Sequence, residues 1–182
     1  MSRIAIPTRD EAHADAQPTL DNVNKLLGFV PNLHRLMSIN PNVLAGWVGL
    51  QSNLAKTLDT KTRDAIALAV SDANGCDYCV AAHAYVATNF AKLSPEEIAL
   101  NRKGESSEPK RAAAATFAKA LIEGRGKVSD DQFQTVRDAG FKDGEIVAIV
   151  GLTAQFLMTN FMNNAAQTAV DFPEIASAPA AA

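Results

Sequence analysis

Apolar residues recur at steps of three and four along almost the whole chain, and the stretches between them carry residues that stop and start helices. This pattern predicts helices near 19–28, 31–38, 41–56, 60–73, 77–91, 95–102, 108–123, 130–139 and 143–169. Asn40 before Pro41 is a cap followed by proline at the first helical position, where its missing N–H costs nothing. Ser94, Pro95 and Glu97 repeat the device with a glutamate placed to reach back, and Ser129 with Gln132 makes another capping box. Gly75, Gly104, Gly124 and Gly140 stand where the periodic stretches stop, as left-handed C-terminal caps do. Only "RIAI" near the start reads as a strand, and one short strand makes no sheet. The expected fold class is all-α.

Composition narrows the function classes. The chain has 182 residues, enough for one domain with its own core. Its 17 basic and 20 acidic residues give a net charge of −3 with no lysine- or arginine-rich run, so nucleic acid is a poor partner. The start "MSRIAIPTRDE" lacks the apolar middle and cleavage site of a secretory signal, and the expectation is a cytoplasmic protein. The most apolar segment, Ile146 to Met162, is interrupted by Thr153, Gln155, Thr159 and Asn160. It is shorter than the roughly 20 residues that cross a bilayer, so it reads as a buried helix and no membrane partner is expected. "NRKGESSEPKR", from Asn101, reads as a solvated linker, and the terminal "SAPAAA" as a mobile tail over 176–182.

The two cysteines change the picture most. In a cytoplasmic chain of this size they are no disulfide scaffold, which leaves catalysis, redox sensing or metal binding. Cys76, Cys79 and His83 follow one another at steps of three and four, so on a helix they share one face. Cys76 follows Asn74-Gly75 and lies at a helix N-terminus, where free N–H groups and the dipole favour a thiolate. His83, one turn beyond Cys79, can take that thiol's proton or, once charged, stabilise its thiolate. Two cysteines three residues apart on a helix are also within reach of a disulfide. The helix end favours Cys76 and the imidazole favours Cys79, so these arguments leave open which sulfur attacks.

Other readings compete. Attachment of c-type haem needs a histidine where Val80 stands. Structural zinc takes four ligands, so Asp64 or Asp77 would have to complete a set of three. Thioredoxin-like chemistry places the pair after a β-strand, and none precedes Gly75. Buried cysteines also act as small hydrophobes. His13 and His34 have no ligand-spaced partners and read as surface or packing residues. Trp47 and the phenylalanines at 117, 133, 156 and 161 read as core or subunit contacts. No cofactor or metal is called for.

"RDAIALAVSDANGCDYCVAAHAY" resembles the core motif of the alkylhydroperoxidase D-like and carboxymuconolactone decarboxylase superfamily. "LLGFVPNLHRLMSINPNVLAGW" and "TNFMNNAAQTAVDFPE" resemble the flanking helices of its peroxidase-related branch, so the similarity runs from Leu20 to Glu174. The resemblance implies one all-α domain over 1–175 that assembles as a trimer or hexamer. It implies peroxide reduction, with Cys79 attacking a hydroperoxide and Cys76 resolving the sulfenic acid as a disulfide. His83 matches the relay histidine. Asp64 stands at the position of its usual glutamate partner, twelve residues before the first cysteine. Tyr78 replaces a histidine of the named alkylhydroperoxidase, and a phenol there can donate a hydrogen bond without being a base at neutral pH. The electron donor is a dithiol, and the family points to a lipoylated protein. A non-enzymatic redox sensor and a lactone decarboxylase, which works without a cysteine pair, are the alternatives.

Overall fold

The structure, a computed structural model, describes residues 2–173, so the expected 176–182 tail lies outside the described residues. Nine helices form among them: α1 Gln17–Leu27, α2 Asn32–Met37, α3 Pro41–Leu54, α4 Thr60–Ala73, α5 Asp77–Asn89, α6 Pro95–Lys103, α7 Pro109–Glu123, α8 Asp130–Asp138 and α9 Asp143–Ala166. No strand forms there, and "RIAI" is irregular. The fold is all-α.

Capping chemistry explains most boundaries. The Asn40 side chain accepts the N–H groups of Asn42 and Val43, at 3.1 and 3.3 Å. Ser129 and Gln132 make the reciprocal box, at 2.9 and 3.1 Å. Gly75, Gly104 and Gly140 have the left-handed φ expected of them, whereas Gly124 does not, with φ −83°. Gly124 is required for space instead, because a Cβ there would lie 1.9 Å from the Lys127 carbonyl oxygen.

The middle of α4, Ala65 to Val70, is apolar all round and fully buried, so the helix runs through the middle of the molecule. One core packs its Ile66, Ala67 and Val70 against Phe117 and Leu121 of α7 and Ile149, Leu152 and Phe156 of α9. A second core joins Leu20, Leu33, Met37, Leu44 and Trp47 of the first three helices to Cys76, Tyr78 and Cys79. α9 is long and apolar enough by composition to cross a bilayer, but half of its apolar window is packed inside the molecule. Phe161, expected in a core or a subunit contact, is 61% exposed within the single chain.

The "NRKGESSEPKR" segment is not a freely solvated linker. Glu97 does cap with Ser94 through its backbone, but its carboxylate turns inward instead of reaching back. It accepts from Ser106, from the Ser107 N–H and hydroxyl at 3.0 and 2.6 Å, and from Arg111 at 3.2 Å. Burial alone would raise its pKa, and these donors together outweigh that and hold it at about 2. Its stabilisation is therefore complete above the ordinary glutamate pKa and is lost as pH falls toward 2. Glu97→Gln removes the carboxylate from a half-buried guanidinium, that of Arg111, and is expected to lower stability by about 2–3 kcal/mol. Urea unfolding with an unchanged m-value checks this.

Candidate active site

The site is built on the turn between α4 and α5. Gly75 adopts φ +59°, which a residue with a Cβ adopts only under strain, so the chain can reverse directly after α4. Asparagines then fix the turn to α9. Asn74 donates to Val70 O at 2.9 Å and to Asn160 Oδ1 at 3.0 Å, and Asn164 donates to Asn74 O at 3.0 Å. The result is that Cys76 becomes the N-cap of α5, and its sulfur accepts the Cys79 N–H at 3.3 Å. Cys76 and Cys79 are joined as a disulfide, with their α-carbons 5.3 Å apart. Both are nearly inaccessible, at 1% and 2% exposure.

Only one of the two sulfurs belongs to a cavity residue. A half-open cavity of about 250 Å³ is lined by Cys79 and His83 but not by Cys76. Its walls are Leu27, Leu33, Trp47, Val86, Phe156 and Phe172, with the exposed Leu26 at its rim, and no lysine, arginine, aspartate or glutamate lines it. The His83 ring stands edge-to-face on Phe156 at 5.0 Å. Burial lowers its pKa to about 4, so near neutral pH it is an uncharged imidazole able to take a proton. Of the two roles open to it in the sequence, base and cation, burial disfavours the cation. His34 lines the same cavity, packs on Trp47 at 5.2 Å and is likewise held neutral by burial, at about 4. His13 is exposed beside Asp15.

Asp64 lies inside the molecule, 7% exposed, and its Oδ2 has no hydrogen-bond partner among the described residues. Burial, reinforced by Asp59 and opposed by Arg63, raises its pKa to about 7. Among the described residues no hydrogen bond or ion pair joins it to His83. Tyr78 is committed elsewhere: its hydroxyl donates to Asp171 Oδ1 and accepts the Leu33 N–H, both at 3.0 Å. Burial raises the phenol above its ordinary pKa. Asp171 also receives the Asn32 N–H at 2.7 Å, and Phe172 packs on Phe29, Tyr78 and Tyr85. Tyr78 thereby fastens the stretch after α9 over the cavity wall. No group of three or more His, Cys, Asp or Glu side chains among the described residues is arranged to hold a metal.

Three contributors were not singled out from the sequence. Asn163 donates to Cys79 Sγ at 3.2 Å, Gln155 presents an amide at the cavity, and Phe172 closes one wall. Polar residues at 155, 159, 160 and 163 inside an apolar helix are the signal that could have found the first two. Phe172 lies outside any helical pattern and gave none.

The carboxymuconolactone decarboxylase family model matches residues 41–123. No curated protein sequence matches the chain. A peroxidase-related protein from Ralstonia eutropha JMP134 with an alkylhydroperoxidase AhpD core superposes with a TM-score of 0.84 at 25% identity, over 93% of this chain and 92% of that one. A peroxidase-related protein from Silicibacter sp. TM1040 gives 0.80 at 21%, over 92% and 91%. A cysteine-to-alanine variant of the debrominase Bmp8, in complex with 2,3,4-tribromopyrrole, gives 0.79 at 21%, over 94% of each chain.

Proposed function

We propose that this chain, matched by the carboxymuconolactone decarboxylase family model over residues 41–123 and sharing its fold with alkylhydroperoxidase D-like proteins, is a thiol-dependent peroxidase. The observation that carries the reading is that Cys79 lines an open cavity together with a neutral imidazole while Cys76 stands behind it. In the reduced protein the Cys79 thiol gives its proton to His83. The thiolate attacks the outer oxygen of a hydroperoxide, the O–O bond breaks, and the leaving alkoxide takes that proton. Cys79 is then a sulfenic acid; the Cys76 thiol gives up its proton, its sulfur attacks Cys79 to form the disulfide, and the departing hydroxide takes that proton and leaves as water. An external dithiol returns two electrons and two protons by exchange. Net, a hydroperoxide and a dithiol become an alcohol, water and a disulfide. Asp64, titrating near neutrality, exchanges protons with this relay. The donor is a dithiol such as a lipoylated protein, and the cycle suits a reducing compartment such as the cytoplasm. A homo-oligomer, trimer or hexamer, is the proposed assembly.

An uncharged cavity predicts an uncharged substrate, because a carboxylate buried there meets no cation. Cumene hydroperoxide is expected to be turned over with kcat/KM at least roughly tenfold above that of a fatty-acid hydroperoxide carrying a free carboxylate. Steady-state peroxide consumption with a dithiol reductant tests this, and no consumption of either would refute the peroxidase reading.

The aromatic walls beside Cys79, together with the likeness to a debrominase, favour a second reading. Here the same dithiol reduces a halogenated aromatic ring: the carbon–halogen bond is replaced by carbon–hydrogen, halide leaves, and the disulfide forms. Bromide release from 2,3,4-tribromopyrrole by the reduced protein, without hydroperoxide turnover, would select it.

A further inference from the structure

The Cys79 sulfur has a donor outside its own helix. The amide of Asn163 lies 3.2 Å from it, and Asn163 is 2% exposed, so water does not compete for either group. A disulfide sulfur has no proton to give, so the NH₂ end of the amide is the end that faces it. Among the described residues Oδ1 of the same amide finds no hydrogen-bond partner. The side chain is also held in place. Asn160, one turn earlier, donates to Ser71 at 3.2 Å and receives from Asn74, and Asn164 donates to the Asn74 carbonyl. The asparagines of α9 thus fix that helix against the Asn74-Gly75 turn, and Asn163 meets the sulfur with little freedom left to lose.

We propose that Asn163 is a catalytic hydrogen-bond donor that stabilises the Cys79 thiolate in the reduced protein. An N–H donor to an anion in a dry site is among the stronger hydrogen bonds, whereas the same donor facing a neutral thiol gains little. The bond therefore lowers the proton affinity of Cys79 selectively. It also offsets the advantage of Cys76, whose sulfur already receives the Cys79 N–H and the end of the α5 dipole. Position in the cavity gives Cys79 access to substrate, and Asn163 gives it charge. The other titratable groups around this sulfur are Cys76 at the N-cap of α5, bonded to it, and, lining the same cavity, His83 and Tyr78 of α5, the latter tied to Asp171, and His34 of α2. α9 brings only uncharged side chains to it.

The inference deepens the peroxidase reading but rests only on Cys79 reacting as a thiolate, so it is tested without peroxide. Cys76→Ser leaves Cys79 as the single thiol of the chain. The pH profile of its alkylation by iodoacetamide is compared with that of the same protein carrying Asn163→Ala or Asn163→Asp. Loss of the donor is expected to slow alkylation below the midpoint by roughly ten- to a hundredfold, with the midpoint moving up. Asn163→Asp, the same size but bringing negative charge, is expected to move it at least as far. If both substitutions leave the midpoint unchanged in folded protein, Asn163 is a packing residue and the proposal falls. Should Asn163→Ala not fold, Asn163→Leu, of similar size but with neither donor nor charge, decides in its place. A midpoint shift without hydroperoxide turnover by the unsubstituted protein keeps this inference and removes the peroxidase reading.

Discussion

Cys79→Ser is expected to abolish hydroperoxide turnover, lowering kcat by roughly a thousandfold or more, because a serine hydroxyl beside a neutral imidazole is no nucleophile toward an O–O bond. Cys76→Ser behaves differently. Its Cys79 takes up one oxygen atom per subunit and then stalls, since no partner thiol closes the disulfide. The asymmetry follows from geometry, because the two residues are neighbours in sequence and equally buried, yet only Cys79 borders the cavity. Peroxide consumption by the two variants, with dithiol in excess, checks both outcomes. Equal turnover by both variants would show that cavity position does not choose the sulfur.

Asp64→Asn is expected to raise stability and lower turnover together. The Asp64 pKa is raised to about 7, so between the ordinary aspartate value and about 7 the folded protein holds a proton that the unfolded chain has released. Stability therefore falls as pH rises through that window and levels off above it. Asparagine removes this penalty. The gain is expected to be absent near pH 3 and to reach about 2–4 kcal/mol at pH 8. The two histidines held at about 4 act in the opposite sense, strengthening the fold as pH rises from about 4 to 6.5, and they contribute equally to both proteins. Urea unfolding of the two proteins at pH 3 and pH 8 isolates the carboxyl. A buried carboxyl that weakens the fold and pairs with nothing is a functional candidate, and as part of the proton relay its loss is expected to slow turnover roughly a hundredfold. A stability gain with unchanged turnover removes Asp64 from the relay.

How much of this was readable beforehand depended on range. Nine helices were visible in the apolar spacing, and α4 matches its predicted span at both ends, because caps and breaks are written within a few residues of each boundary. Helical spacing likewise puts Cys79 and His83 on one face of α5, but Cys76 is the N-cap before that helix and does not line the cavity with them. Local signals failed where a distant group took over the side chain. Glu97 looked like a capping glutamate but is claimed by Ser106, Ser107 and Arg111, and Gly124 looked like a left-handed cap but answers to the Lys127 carbonyl. Tyr78 read as a phenol able to donate a hydrogen bond, and the acceptor, Asp171, lies far along the chain. The Asn163 contact spans 84 positions, which no spacing rule reaches.

The most direct test is the intact mass of the fully reduced protein before and after one equivalent of cumene hydroperoxide. Loss of two hydrogens per subunit is expected, with a disulfide between Cys76 and Cys79, and retention of one added oxygen at Cys79 when Cys76 is serine. An unchanged mass with both thiols still free, or oxygen added at Cys76, would contradict it.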